Sequence, residues 1–108
     1  MQVGNINWTN QEREIAQKAF DTAYQRETAA LIEAIRTQAS QVTELEDIWR
    51  LHDFLSARRH DLDGKYDNRY GMLVFVFATL VKEGWLSPHE LDGLDKEKLA
   101  KIASLARM

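Results

Sequence analysis

The sequence predicts an all-α fold with an elongated two-helix stem and a small helical head, assembled as a dimer. Glycine and proline are absent from Asn5 to Asp63, where alanine, glutamate, glutamine, leucine and arginine dominate. These residues favour helices, and residues suited to capping recur along the chain. A length of 108 residues fits one domain. Residues 1–108 are therefore predicted to form a single helical domain, with the stem at about 10–61 and the head at about 66–107.

Two long helices are predicted in the N-terminal part of the chain. Two pairs of residues have capping-box spacing, in which each residue's side chain accepts a hydrogen bond from the other's backbone. These pairs are Thr9 with Glu12 and Thr43 with Glu46. They predict helices near 10–40 and 44–61, and Gly64 is expected to end the second helix.

A third helix is predicted at about 68–83, capped by Asp67 or Asn68 and ended by Gly84. Its middle, Met72–Leu80, is rich in β-branched and aromatic residues, as a buried strand would be. A strand here would have no partner strand in the sequence. The flanking caps favour a buried helix instead.

Two short helices are predicted near the end of the chain. The motif Ser87-Pro88-His89-Glu90 combines a capping residue, a proline at the first helical position and a glutamate at the third. It predicts a short helix that Gly93 ends. Asp95 is expected to cap a last helix that runs to about residue 106.

The first predicted helix is too long for its own chain to enclose. A helix of about 30 residues is roughly 45 Å long, whereas a compact chain of this size has a radius of gyration of about 13 Å. Apolar or small residues nevertheless continue along it: Ile15, Ala19, Phe20, Ala23, Tyr24, Ala30, Leu31, Ala34 and Ile35. A second copy is the simplest cover, since two-fold dimers are the commonest oligomers. We therefore expect a homodimer formed through the stem.

The composition narrows the class of protein. The chain has no cysteine, which excludes disulfides, thiolate metal sites and thiol nucleophiles. A net charge of −3 argues against a general nucleic-acid binder. The longest uncharged run, Tyr70–Val81, is twelve residues, short of the roughly 20 that span a membrane. We expect a soluble protein inside the cell, with neither a signal peptide nor a transmembrane segment.

The second predicted helix carries polar groups within a wide apolar face. At 100° per residue, its apolar residues cover well over half of the circumference. These residues are Ile48, Trp49, Leu51, Phe54 and Leu55. His52 and Arg59 lie inside that arc, and Asp53 lies at its edge. Because an unpaired buried charge is costly, the pattern predicts a packed, hydrogen-bonded seam, which two chains are able to form together.

A metal site is one alternative for this helix. The dipeptides His52-Asp53 and His60-Asp61 resemble the HD dipeptide of metal-dependent phosphohydrolases. Such sites need further ligands, and His89 is the remaining histidine. His52 and His60 lie about 12 Å apart along one helix, whereas a zinc–nitrogen bond is about 2 Å. No metal site is predicted.

Two other patterns suggest chemistry but lack essential parts. In Asp61-x-Asp63-Gly64-x-x-Asp67 the glycine stands at position four, whereas calcium loops place it at position six. Ser56, His52 and Asp53 lie close in sequence, but no glycine-rich elbow or oxyanion loop accompanies them. We expect no catalytic residue, no cofactor and no enzymatic activity.

The predicted head offers one candidate docking residue. Phe75 and Phe77 are two positions apart, so on a helix they face different ways. If one packs inward, the other lies near the surface, where an exposed phenylalanine is suited to docking. Lys65 and Arg69 are expected to be solvated.

Several segments resemble the fluorescence recovery protein family of cyanobacteria. The central segments are Trp49–His60, Asp63–Asp67 and Phe75–Ala78, and the shorter ones are Tyr24–Glu27, Gln38–Gln41 and Leu105–Arg107. The central run is long and ungapped, and the resemblance extends over most of the chain. The first ten residues and the loop at 84–96 carry no family motif, and Tyr70-Gly71 is atypical.

The resemblance implies a regulator that acts by binding. Members of the family are all-helical dimers that bind the photoactivated, red form of the orange carotenoid protein through its carboxy-terminal domain. They accelerate its return to the inactive orange form and promote its release from the phycobilisome, which ends non-photochemical quenching. No cofactor is implied, because the carotenoid belongs to the partner. The implied location is the cytoplasm, and a position at the thylakoid surface stays open.

The resemblance also assigns residues. It implies that Ile48, Trp49, His52, Asp53 and Arg59 form a dimer and partner-binding patch on the stem, and that Phe75 and Lys101 contact the partner from the head. In an antiparallel pair of second helices, Arg59 of one chain is expected to approach Asp53 of the other. A generic helical dimeric adaptor without a photoprotective role is the alternative function.

Overall fold

A computed structural model describes residues 7–108, and within that range the protein is all-α and elongated. It measures 53 × 24 × 24 Å and has a radius of gyration of 16.8 Å, above the roughly 13 Å of a compact chain of this length. The elements are α1 (Asn10–Ser40), α2 (Leu45–Lys65), α3 (Leu73–Lys82), a 3₁₀ helix (Pro88–Leu91) and α4 (Lys96–Ala106). The predicted fold class and elongated shape are confirmed.

Helix α1 belongs to both parts of the molecule. The predicted capping box begins it: the Glu12 N–H donates to Thr9 Oγ1 at 3.1 Å, and the Thr9 N–H donates to Glu12 Oε1 at 3.0 Å. A stripe of small buried residues, Ala16, Ala19 and Ala23, follows on one face. Small side chains let the head approach this first half of α1 closely, while the second half of the helix lies beside α2.

Helix α2 differs from the prediction at both ends. The carboxylate that caps it belongs to Asp47, which accepts from the N–H groups of Thr43 at 3.1 Å and Glu44 at 3.2 Å. The box predicted from Thr43 and Glu46 is therefore one residue out of register. Gly64 does not end the helix, because continuing to Lys65 brings that ammonium group into ion pairs with Glu27 and Glu83 (described below). These pairs outweigh the roughly 1 kcal/mol that a glycine costs within a helix.

Helix α3 begins later than predicted but is a helix, not a strand. Neither Asp67 nor Asn68 caps it; the Asp67 carboxylate instead binds the guanidinium of Arg69, with Nη2 to Oδ2 at 2.6 Å. Gly84, with φ of 86°, follows its end as predicted. The residues of α3 that are buried are Leu73, Val74, Val76, Phe77, Ala78 and Leu80. The apolar run that resembled a strand is the centre of the head's core.

The last two elements follow their predicted caps. Glu90 Oε1 accepts from the Ser87 N–H at 2.9 Å, and Asp95 Oδ1 accepts from the Lys98 N–H at 2.8 Å. The first of these elements is a 3₁₀ turn, not an α-helix. Gly93, with φ of 106°, follows it and packs directly against the Ile15 side chain of α1. A Cβ atom at this position would displace the end of the Ile15 side chain, and the positive φ strains any residue that has a Cβ atom, so the turn depends on glycine.

One buried ion pair joins the beginning of α1 to α4. Lys98 Nζ donates to Glu12 Oε2 at 3.0 Å and to Asp95 Oδ2 at 3.1 Å, and it lies 4.7 Å from the centre of the Trp8 ring. Burial would raise the pKa of Glu12, but hydrogen bonds from the backbone of Thr9 and Asp95 and from Lys98 lower it to about 2. The carboxylate therefore stays charged inside the head.

Glu12→Gln is expected to destabilise the protein and to weaken its pH dependence in acid. Breaking a buried pair costs about 3 kcal/mol. The pKa of Glu12 in the folded state, about 2, lies below the ordinary value of 4.5. The stability that this charge contributes is thus complete above pH 4.5 and is lost as the pH falls towards 2.

Urea unfolding followed by circular dichroism at pH 7 and in steps from pH 4.5 to 2 measures both effects. Glu14→Gln is the matched control, because Glu14 lies on the same helix and is exposed. Equal stability of the two variants at pH 7 would contradict a structural role for the Glu12–Lys98 pair.

Candidate functional site

The stem patch, defined as Ile48, Trp49, His52, Asp53 and Arg59, lies on the outer side of α2. No residue of α2 is buried by its own chain. Trp49 is 53% exposed and the Arg59 side chain is 86% exposed. Within one chain there is thus no packed seam at these residues. A seam between two chains stays a prediction.

Only weak ion pairs hold the polar members of the stem patch. His52 Nδ1 lies 3.4 Å from Asp53 Oδ1, and Arg59 Nε lies 3.9 Å from Asp63 Oδ2. Exposed pairs of this kind contribute little to stability. The polar side chains of His52, Asp53 and Arg59 are therefore largely exposed to solvent.

Apolar side chains surround these polar groups. Four large residues of α2 and one of the second half of α1 are exposed: Leu45, Ile48, Trp49, Leu55 and Ile32. An open groove of about 910 Å³ runs between the two helices, and Tyr24, Leu31 and Arg59 are among the residues that line it. An exposed apolar face of this kind is typical of an interaction surface.

The head patch, defined as Phe75 and Lys101, brings together two residues that are far apart in sequence. Phe75 on α3 is half-buried, whereas Phe77 is completely buried, so the prediction that they face different ways is confirmed. The Nζ atom of Lys101 on α4 lies 5.6 Å from the centre of the Phe75 ring, within the range of a cation–π contact. Phe75 also lines two open grooves, of about 450 and 340 Å³.

Sequence reasoning missed a buried polar cluster between the two patches. Glu27 on α1 is 1% exposed, and its carboxylate accepts from Lys65 Nζ at 2.6 Å, Tyr66 Oη at 2.8 Å and Arg58 Nη2 at 3.1 Å. Lys65 also donates to Glu83 Oε1 at the end of α3, at 2.7 Å. We call Glu27, Arg58, Lys65, Tyr66 and Glu83 the junction. The expectation that Lys65 is solvated was wrong, since 7% of its side chain is exposed.

The junction keeps its charges despite burial. Burial would raise the pKa of Glu27, but the hydrogen bonds from Lys65, Tyr66 and Arg58 lower it. For Lys65, burial would lower the pKa, and its bonds to Glu27 and Glu83 raise it. Burial, together with the neighbouring Glu27 carboxylate, raises the pKa of the Tyr66 hydroxyl. One signal for Glu27 was present in the sequence, because it continues the spacing of the buried alanine stripe on α1.

The structure also bears on the metal site, the calcium loop and the membrane-spanning helix that were considered from the sequence. In the described part of the chain, no group of three or more histidine, aspartate or glutamate residues is arranged to hold a metal ion. The acidic segment after Arg59 is not a loop, because α2 continues to Lys65. Asp61 binds Arg58 and Asp67 binds Arg69. Among residues 7–108, no helix combines the length and the apolar character required to cross a membrane.

Comparisons with known proteins agree with this architecture. A family described as "Photoprotection regulator fluorescence recovery protein" matches residues 8–106. The Fluorescence recovery protein of Synechocystis is 46% identical over 108 residues, which are 100% of this chain and 99% of that protein. The structure of the Fremyella diplosiphon Fluorescence Recovery Protein has a TM-score of 0.92 and 62% identity, and covers 94% of this chain and 100% of its own.

A structure of the Synechocystis protein has a TM-score of 0.91 and 48% identity over the same shares of the two chains. The matches therefore extend over nearly the whole length of the sequence, including both patches and the junction. This chain belongs to the fluorescence recovery protein family of photoprotection regulators.

Proposed function

We propose that the protein binds the photoactivated, red form of the orange carotenoid protein through its carboxy-terminal domain and accelerates its return to the inactive orange form. The bound protein also promotes release of the partner from the phycobilisome, so that non-photochemical quenching ends. The observation that carries this proposal is the exposed stem patch on a chain of a family of photoprotection regulators. Because this action concerns the phycobilisome and the carotenoid protein bound to it, the proposal includes a location in the cytoplasm.

A homodimer formed through α2 is part of the proposal. In proteins, helices are stabilised mainly by packing of their apolar face, yet α2 buries no residue within its own chain. Ile48 is 45% exposed and Leu45 is 61% exposed on the same side of the helix. A second copy related by a two-fold axis would cover both residues at once. In the antiparallel arrangement, Arg59 of one chain is predicted to approach Asp53 of the other.

The proposed mode of action is non-enzymatic. A dimer that holds the carboxy-terminal domain of the opened partner and contacts the other domain raises their effective concentration, which shortens the search for the closed form. To act repeatedly, it must bind the open or closing state more tightly than the closed product. A protein that binds both states equally shifts no equilibrium.

Ile48→Glu is expected to convert the dimer into a monomer. The glutamate would lie in the proposed interface, where burying an unpaired charge is very costly. Within one chain Ile48 is exposed, so the helix itself tolerates the change. Sedimentation velocity at micromolar concentration should give twice the chain mass of 12.5 kDa for the unmodified protein and the mass of one chain for the variant.

Ala57→Glu is the matched control for the dimer. Ala57 is exposed on the same helix, about 180° from Ile48 at 100° per residue. This variant should remain a dimer. An unmodified protein that sediments as a monomer, or an Ile48→Glu variant that stays dimeric, would contradict the proposed interface.

Arg59→Ala is expected to slow recovery of the partner about tenfold, corresponding to about 1.4 kcal/mol of lost binding. Arg59 lies in the stem patch, and its exposed guanidinium makes a weak 3.9 Å contact with Asp63, which a carboxylate of the partner or of the second chain would replace. The measurement is the dark conversion of the red form to the orange form, followed by absorbance, at equal protein concentrations.

Arg50→Ala controls for the loss of a positive charge. The Arg50 side chain is 73% exposed and lies on the side of α2 opposite Arg59. The recovery rate with the Arg50→Ala variant should stay within a factor of two of the rate with the unmodified protein. Equal affinities for the red and orange forms would argue against the proposed mode of action. A recovery rate unaffected by the unmodified protein would favour the generic adaptor.

A further inference from the structure

The junction connects three helices at the point where the stem meets the head. Glu27 lies in the middle of α1, Lys65 is the last residue of α2, and Glu83 follows the last residue of α3. Lys65 Nζ donates to Glu27 Oε2 at 2.6 Å and to Glu83 Oε1 at 2.7 Å, so this one ammonium group links all three helices. Tyr66 and Arg58 add a second and a third donor to Glu27 from the α2 side.

A neighbouring contact fixes the head to α1 independently of α2. Arg26 binds both carboxylate oxygens of Glu90 at 2.8 Å and also donates to the Trp85 carbonyl at 3.0 Å. Bidentate contacts of this kind are geometrically specific. The direction of α1 relative to the head is therefore set by Arg26 and by the core, which leaves the direction of α2 to the junction.

Packing leaves α2 few other constraints. No residue of α2 is buried within the chain, and the groove between α1 and α2 is open, with a volume of about 910 Å³. The helix spans roughly 24 Å from Lys65 to Trp49, so a rotation of about 10° at Lys65 would move Trp49 by about 4 Å. Small angular changes at the junction thus produce large changes in the distance between the stem patch and the head patch.

A set of apolar residues in place of the whole junction would in many cases stabilise these helices equally well. Replacing buried ion pairs by well-packed hydrophobic residues is often neutral or stabilising. Three hydrogen bonds to one carboxylate fix the relative orientation of the helices that carry the donors and the acceptor, whereas an apolar contact allows them to slide or rotate. The junction is suited to defining an angle, and stability alone does not account for its chemistry.

We propose that Glu27 is a positioning residue, whose carboxylate fixes the angle of α2 against the head and so sets the spacing between the stem patch and the head patch. The inference rests on the proposed function, in which one partner contacts both patches. If the angle is loose, only a fraction of molecules has the correct spacing. The apparent affinity then falls to that fraction of its intrinsic value, while the fully bound complex still acts at the normal rate.

Distance measurements test the angle directly. The chain contains no cysteine, so Glu46→Cys and Ser104→Cys provide unique sites for spin labels. Both positions are exposed, on α2 and α4. Diluting the labelled chain in unlabelled protein isolates the distance within one chain. We expect a narrow distribution in the otherwise unmodified protein and a distribution at least twofold broader with Glu27→Gln.

Recovery kinetics test the functional consequence. With Glu27→Gln, the protein concentration that gives half of the maximal recovery rate should rise at least fivefold, and the maximal rate should stay within twofold. Glu12→Gln is the matched control, since it breaks another buried ion pair of α1 that does not contact α2. Its distance distribution and half-saturating concentration should both match the unmodified protein, at a temperature at which both variants are folded.

Two results would overturn the inference. One is a distance distribution of Glu27→Gln as narrow as that of the unmodified protein. The other is a broad distribution with an unchanged half-saturating concentration. If the unmodified protein does not accelerate recovery, the proposed function fails, and the distances still decide whether Glu27 fixes the angle.

A milder variant covers the case in which Glu27→Gln does not fold. Tyr66→Phe removes one donor to Glu27 and leaves the Lys65 pair in place. It should broaden the distribution in the same direction but less. Tyr24→Phe is its control, because Tyr24 is exposed and its ring also contacts Tyr66. Equal distributions for these two variants would likewise overturn the inference.

Discussion

The length of α1 is the constraint on which the rest of the structure depends. A helix of 31 residues in a chain of 108 cannot be enclosed by what remains. The head covers the first half through the alanine stripe, where small side chains permit close packing, and α2 runs beside the second half. What is left over is the outer face of α2 with its large exposed side chains. The proposed dimer and the proposed partner contact both use this face.

Charged contacts fix the head at three points along α1. Glu12 binds Lys98 of α4, Arg26 binds Glu90 of the 3₁₀ turn, and Glu27 binds Lys65 at the end of α2. The first two hold head elements that also share an apolar core with α1. The third holds a helix with no buried residue of its own. The same kind of bond therefore contributes stability at the beginning of α1 and, as proposed, defines an angle at its middle.

Several helix ends that depend on contacts between residues close in sequence were predicted correctly. The caps at Thr9, Ser87 and Asp95 act over three residues, and the structure contains all of them. The end of α2 was not predictable in this way. Glycine frequently ends a helix, but here the helix continues past Gly64 because Lys65 binds Glu27 and Glu83, which lie outside α2. The start of α3 was misplaced because Asp67 binds Arg69 and does not cap the helix.

The candidate site was predictable to a similar extent. A helical wheel placed Trp49, His52 and Arg59 on one side of α2, but a wheel does not show whether that side is covered. Their exposure became visible only in the folded chain. Glu27 was missed because its three donors lie 31, 38 and 39 residues away in sequence. Such contacts depend on the complete fold; the spacing of the alanine stripe indicates that Glu27 is buried but does not identify its donors.

The width of the exposed face bears on how the dimer and the partner share it. From Leu55 through Arg59 and Trp49 to Asp53, the arc on α2 covers about 160° at 100° per residue. A helix packed on one side needs an apolar stripe of only about 100°. The arc exceeds one such stripe but falls short of the roughly 200° that two separate contacts would need, so the second chain and the partner would share part of it. Because Asp53 is also the predicted counterpart of Arg59 in the dimer, the proposed dimer and the proposed partner contact overlap on this face of α2.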